Sequence, residues 1–101
     1  MSKKRFVVLL ASETDEQVRA FKAYIEEHHL GFWHWLSGSW LLTDPSNIQT
    51  AEGLRDALNT THPRINKLVL EILGDDFWSG YGPGGEERNM FTWLKTTWKG
   101  N

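Results

Sequence analysis

The chain has 101 residues, a formal net charge of −2 from 11 basic and 13 acidic side chains, and no cysteine. This length has room for one domain with one hydrophobic core, and the charge offers no basic footprint for a phosphate backbone, so we do not expect nucleic acid as a partner. The absence of cysteine excludes disulfides, thiolate zinc sites and cysteine nucleophiles.

The chain begins with the basic stretch 1–5, followed by the apolar run Phe6–Ala11. This run is too short for a signal peptide and leads directly into charged residues. The chain also has no stretch of about 18 apolar residues that would predict a membrane helix. We therefore expect a cytoplasmic protein with no membrane partner. The apolar run itself predicts a central strand covered on both faces.

Two helices are predicted in the first two thirds of the chain. The capping-box spacing that begins at Thr14, followed by apolar residues at helical intervals, predicts a helix over about 15–29. A second apolar stripe, after a turn-forming segment, predicts a helix over about 49–60. Its N-cap is either Ser46 or Thr50.

A fourth strand is predicted over 65–73, after a hairpin at 32–42 that supplies the second and third strands. The order strand, helix, strand, strand, helix, strand is that of the ferredoxin-like βαββαβ plait. We therefore predict an α+β fold in which two helices cover one face of a four-stranded antiparallel sheet. On the fourth strand, Lys67 and Glu71 are expected to wet the bare face.

The predicted hairpin is apolar on both faces, whereas a hairpin with one wet face alternates apolar and polar residues. A two-residue turn at Ser37–Gly38 would place Trp35 opposite Trp40 and Trp33 opposite Leu42. The other side would carry Phe32, His34, Leu36 and Leu41. The pattern does not decide which of these sides is bare. The candidate binding residues, at a dimer or ligand face, are Trp33, His34, Trp35 and Trp40.

The last part of the chain has a different character. Residues 74–85 combine glycine and proline with aromatic side chains, which predicts a packed loop. Residues 86–99 begin with two glutamates and end near lysines, with apolar residues at helical spacing, which predicts a C-terminal helix. Residues 1–101 are predicted to form a single domain. The pattern leaves open whether the C-terminal helix crosses to another protomer.

Three segments, Gly31–Thr43, Gly74–Trp78 and Trp93–Leu94, carry a resemblance to a known group. In aromatic spacing the chain resembles small SinR-like proteins, grouped with the CRISPR-associated Cas-two-like ferredoxin fold. The resemblance implies a ferredoxin-like protomer that dimerises through its sheets, and in some members a metal-dependent nuclease. The nuclease members carry an aspartate at the end of the first strand. The corresponding stretch Leu9–Glu13 has none, which argues against nuclease activity unless Glu13 is a displaced carboxylate.

The predicted topology gathers polar residues at the two ends of the sheet. One end collects acids and histidines that could bind a divalent metal and activate water, although turn and helix-end roles explain them better: His28, His29, Asp44, Asp75 and Asp76. The other end collects serine, histidine and acid side chains, in the segments 12–13, 37–39 and 62–64. No spacing there orients a base on a nucleophile.

The tryptophan-rich hairpin needs something to cover it, because burying a tryptophan is worth several kcal/mol. A homodimer interface or the protein's own core, a stacked base or nucleotide, and a protein partner are the three alternatives. Base stacking normally comes with basic residues, and none lies between Lys22 and Arg55. We therefore predict a homodimer that works by binding, without catalysis, metal or cofactor. The alternatives are a divalent-metal-dependent nuclease or phosphodiesterase, and a nucleotide-binding or sequestering protein.

Overall fold

The computed structural model describes residues 3–74, 78–82 and 90–98. The elements in chain order are β1 (Lys4–Leu10), α1 (Asp15–Glu27), β2 (Gly31–Leu36), β3 (Ser39–Asp44), α2 (Ala51–Thr61), β4 (Lys67–Ile72) and α3 (Met90–Trp93), which continues as a π-helical turn (Leu94–Trp98). In these ranges no helix combines the length and the apolar character that crossing a membrane requires.

The four strands form one antiparallel sheet in the order β2-β3-β1-β4. This confirms the α+β fold class with the ferredoxin-like βαββαβ order of elements. The predicted C-terminal helix is confirmed over 90–98, and its predicted residues 86–89 and 99 lie outside the described residues. Of the predicted loop, residues 78–82 are irregular, and 75–77 and 83–85 lie outside the described residues.

Side-chain caps fix where both long helices begin. At α1, Thr14 Oγ1 accepts from the Gln17 backbone N–H at 3.1 Å, and Gln17 Oε1 accepts from the Thr14 N–H at 2.9 Å. This is the predicted capping box. At α2 the cap is Thr50, whose hydroxyl accepts from the Gly53 N–H at 2.9 Å. Ser46 lies in the preceding turn, where its backbone N–H donates to Asp44.

The main core lies between the sheet and helices α1 and α2. Trp40 is its largest fully buried side chain, and the Phe21 ring meets the Trp40 ring edge-on at 4.9 Å between centroids. We call this set the helix-side core: Phe6, Val8, Phe21, Ile25, Leu30, Trp40, Leu42, Leu54 and Leu58. It draws on both helices and on the central strands, so it holds the plait together.

The opposite face of the sheet carries a second apolar cluster, which the C-terminal segment covers. Its buried members are Trp33, Leu94 and Trp98. Partly buried side chains pack around them: Val7, Trp35, Leu41, Ile72, Trp78, Phe91 and Trp93. The Arg5 guanidinium lies 5.1 Å from the centroid of the Trp98 ring. The C-terminal helix therefore packs on its own sheet, and we call this set the outer cluster.

The hairpin closes with the predicted two-residue turn, but most of its predicted pairing is wrong. Leu36 pairs with Ser39 next to the turn, whereas Trp33 pairs with Leu41 and Phe32 with Leu42. Between these pairs, two residues of β2 (34 and 35) lie opposite one residue of β3, so β2 contains a β-bulge. The bulge shifts the register by one residue, and Trp33 and Trp40 consequently lie on opposite faces.

The predicted orientation of β4 is also wrong. Lys67 pairs with Leu10 and Glu71 with Phe6, and these β1 residues pack on the helix-side core. Residues directly opposite each other in an antiparallel pair share a face. Lys67 and Glu71 therefore lie on the helix side of the sheet at its edge, and Leu68 and Leu70 lie on the outer face.

Candidate interaction surface and a buried polar cluster

The four candidate binding residues are divided between the two faces of the sheet. Trp40 is fully buried in the helix-side core, and the His34 ring stacks parallel on Trp40 with 3.8 Å between centroids. Trp33 is buried and Trp35 is half-buried in the outer cluster. These side chains therefore form no common surface, and Trp40 belongs to the core.

Glu13 lies at the centre of a buried polar cluster at the turn end of the hairpin. Its Oε2 accepts from Trp40 Nε1 at 3.0 Å and from His62 Nε2 at 2.8 Å. The His62 side chain is fully buried and only 2% of the Glu13 side chain is exposed. Glu13 belongs to the loop between β1 and α1, and His62 caps the end of α2. The carboxylate thus joins the loop, the hairpin and the helix.

His34 extends this cluster towards the surface. Its Nε2 lies 3.3 Å from Glu13 Oε1, and its Nδ1–H donates to the Ser39 carbonyl at 2.8 Å. Both ring nitrogens of His34 thus face oxygen atoms, one of Ser39 and one of Glu13. The contact with Ser39 ties the bulge to the neighbouring strand, since His34 is one of the two bulge residues of β2 and Ser39 lies on β3.

The buried polar atoms of the cluster have hydrogen-bond partners within it. His62 Nδ1 lies 2.7 Å from Thr61 Oγ1, whose hydroxyl donates to it when Nε2–H donates to Glu13. No buried side-chain nitrogen or oxygen among the described residues lacks a hydrogen-bond partner. The predicted grouping of Glu13 with His62 is thus realised, but the second nitrogen of His62 faces Thr61 and no serine. The geometry favours a role in fixing the fold.

At the other end of the sheet, Asp44 and His28 make structural contacts, and the His29 side chain is exposed. The buried Asp44 carboxylate accepts from the backbone N–H groups of Ser46, Ile48 and Gln49 at 3.0, 2.8 and 2.7 Å. The His28 ring packs against Tyr24. Asp75 and Asp76 lie outside the described residues. Within 3–74, 78–82 and 90–98, no group of three or more histidine and acidic side chains is arranged to hold a metal ion.

Exposed leucines form a row along the outer face of the sheet beside the outer cluster. Leu36 pairs with Ser39, Ser39 with Leu9, and Leu9 with Leu68, so these positions cross all four strands. Leu70 lies on the same face, opposite Val7. Their exposed fractions are 54% for Leu36, 40% for Leu9, 53% for Leu68 and 44% for Leu70. We call these four the leucine row.

A single exposed leucine needs no explanation, but adjacent ones continuous with a larger apolar cluster are typical of an interaction surface. The sequence does not predict this surface, because the expectation that Lys67 and Glu71 wet the bare face leaves the alternate residues Leu68 and Leu70 on the helix side. The signal was present in β4, where two charged residues alternate with apolar ones. Recognising it would have required knowing that the charged residues lie at an edge, where they reach water from the helix side.

The chain matches none of the protein-family models, curated proteins or solved structures with which it was compared.

Proposed function

We propose that the protein is a homodimer that works by binding and has no catalytic chemistry of its own, and that its two copies associate at the leucine row. The observation that carries the proposal is the row itself. It provides apolar surface on a face that the helices α1 and α2 do not cover, while Glu13 and His62 are buried and hydrogen-bonded to each other.

The exposed area of the leucine row sets an upper limit on the affinity that the row can give a dimer. Burying a whole leucine side chain stabilises by about 1.5–3 kcal/mol, so covering the exposed half of each contributes roughly 1 kcal/mol. Covering all four leucines of both subunits would give at most about 8 kcal/mol before the costs of association are subtracted. A gain of that size corresponds to no better than micromolar affinity. Further contacts between the subunits are therefore needed for a stable dimer.

Sedimentation velocity across about two decades of protein concentration tests this proposal. The wild type should sediment as a dimer, and the double variant Leu68→Ser/Leu70→Ser should sediment as a folded monomer. Ile48→Ser is the matched control, because Ile48 is 74% exposed but lies in the loop between β3 and α2. The control should remain dimeric. A wild type that is monomeric throughout the range would overturn the proposal.

A further inference from the structure

The free edge of the sheet at β4 carries backbone groups with no hydrogen-bond partner in the described chain. The Ala11 N–H donates to the Asn66 carbonyl, so Asn66 points its backbone towards β1. Orientation alternates along a strand, and the backbone groups of Lys67, Val69 and Glu71 consequently point away from β1. None of these residues takes part in the backbone hydrogen bonds that the described residues make outside their own helices and strands.

The two edges of the sheet differ in their capacity to pair with another strand. At the β2 edge, the bulge at residues 34–35 interrupts the regular spacing of backbone groups, a device that blocks further pairing. The β4 edge has an uninterrupted register with β1 over Lys67–Ile72 and contains neither a bulge nor a proline. An added strand would therefore pair with β4.

The β4 sequence Lys67-Leu68-Val69-Leu70-Glu71 is complementary to itself when read in the opposite direction. We propose that two copies of the chain join edge to edge through β4, antiparallel, about a two-fold axis at Val69. The three outward-facing residues then pair, with Lys67 opposite Glu71 of the partner subunit and Val69 opposite the partner's Val69. This inference rests on the proposed homodimer and specifies how its subunits meet.

The charges select this register over the others that hydrogen bonding permits. Backbone orientation allows only shifts by an even number of residues. If the register shifts by two residues, a charged residue lies opposite Val69 or is left without a partner. If it shifts by four residues, Lys67 lies opposite the partner's Lys67 or Glu71 lies opposite the partner's Glu71. Opposite charges directly across a strand pair stabilise it by about 0.2–1 kcal/mol, and like charges destabilise it.

The same register brings the β4 leucines of the two subunits together, whereas Leu9 on β1 and Leu36 on β2 lie away from the junction. Leu68 lies opposite the partner's Leu70 on the outer face, so these side chains cover one another across the junction. The charged pairs lie on the helix side, where Lys67 Nζ now donates to Asn59 Oδ1 at 3.0 Å on the exposed surface. The hydrogen bonds of the joined edges supply the additional contacts that the leucine row requires.

Charge reversal at the two ends of β4 tests the register. Lys67→Glu and Glu71→Lys should each weaken self-association about tenfold or more, since each variant places like charges opposite each other twice. An equimolar mixture of the two variants should form a heterodimer of near wild-type affinity. The double variant Lys67→Glu/Glu71→Lys should recover the homodimer. Arg19→Glu, a reversal on the exposed surface of α1, is the matched control and should leave the dimer intact.

The outcomes separate this inference from the proposed function on which it rests. A monomeric wild type would overturn both. A dimeric wild type whose single charge-reversal variants also dimerise normally would overturn the β4 pairing and leave the homodimer in place. Loss of the dimer in both single variants without recovery in their mixture would likewise contradict the proposed register, because only direct pairing of residue 67 with residue 71 predicts that recovery.

Discussion

The carboxylate of Glu13 shows how one side chain can fix several distant parts of a small fold. It accepts hydrogen bonds from side chains of β3 and of the end of α2, and it faces His34 on β2. Each donor is buried or nearly so, and a buried donor without a partner is costly. The stability of the turn end of the hairpin consequently depends on an acid that lies outside the hairpin.

We predict that Glu13→Ala destabilises the protein by about 3–5 kcal/mol, because it leaves the Trp40 and His62 donors buried without an acceptor. Glu13→Gln keeps one acceptor oxygen and should cost less, about 1–2 kcal/mol. Urea unfolding monitored by tryptophan fluorescence measures both. Glu26→Ala on the exposed face of α1 is the control and should stay within about 0.5 kcal/mol of wild type. Equal losses for Glu13→Ala and Glu26→Ala would contradict the role of the cluster.

The β2–β3 hairpin separates what local sequence determines from what tertiary contacts determine. Its strands and two-residue turn were predictable from apolar residues around Ser37–Gly38, and the existence and order of the other strands and helices followed from periodicity. The bulge was not predictable from the local pattern of the hairpin. It is accompanied by contacts of His34 with Ser39 and with Glu13, and Glu13 is distant from the hairpin in sequence. The Glu13–His62 contact joins residues far apart in sequence, and topology could place them only at the same end of the sheet.

The turn of the hairpin should tolerate an alanine at Gly38 less well than the chain tolerates one at Gly74. Gly38 has a φ of +74°, and a Cβ there would lie 2.6 Å from the Leu10 carbonyl oxygen, whereas Gly74 has a φ of +72° with nothing within 4 Å of its Cβ position. Both glycine-to-alanine changes incur the left-handed backbone penalty of about 1 kcal/mol. Gly38→Ala should cost roughly 1–2 kcal/mol more than Gly74→Ala in urea unfolding. Equal costs would show that the turn moves away from β1 without loss.

At the scale of the whole molecule, the outer face of the sheet is divided between a covered part and an open part. The C-terminal helix covers the tryptophan-rich side through Leu94 and Trp98, and the leucine row remains exposed beside it. A domain of this length has little core to spare, so covering the β4 leucines of the row, Leu68 and Leu70, should add measurably to stability. In the proposed dimer, folding and association are therefore linked.

This linkage predicts a melting temperature that depends on protein concentration. Association stabilises only the folded state, so a hundredfold rise in wild-type concentration should raise the melting temperature by a few degrees. At concentrations where the wild type is dimeric, the Lys67→Glu variant should melt at a lower temperature than the wild type, because its self-association is weakened about tenfold or more. Differential scanning calorimetry at several concentrations provides the measurement. A wild-type melting temperature that does not change with concentration would count against association of the folded chain.

The bulge in β2 also bears on how large an assembly can become. A sheet with two edges that can pair with other copies can polymerise without limit. A sheet with one such edge forms a dimer through a single isologous contact and has no further edge to pair. In the proposed dimer each chain adds a strand at one edge only, at β4, because β2 is interrupted at residues 34–35 and β4 is regular. The irregularity that stacks His34 on Trp40 would thereby also act as a terminator, which favours a finite particle over a fibre.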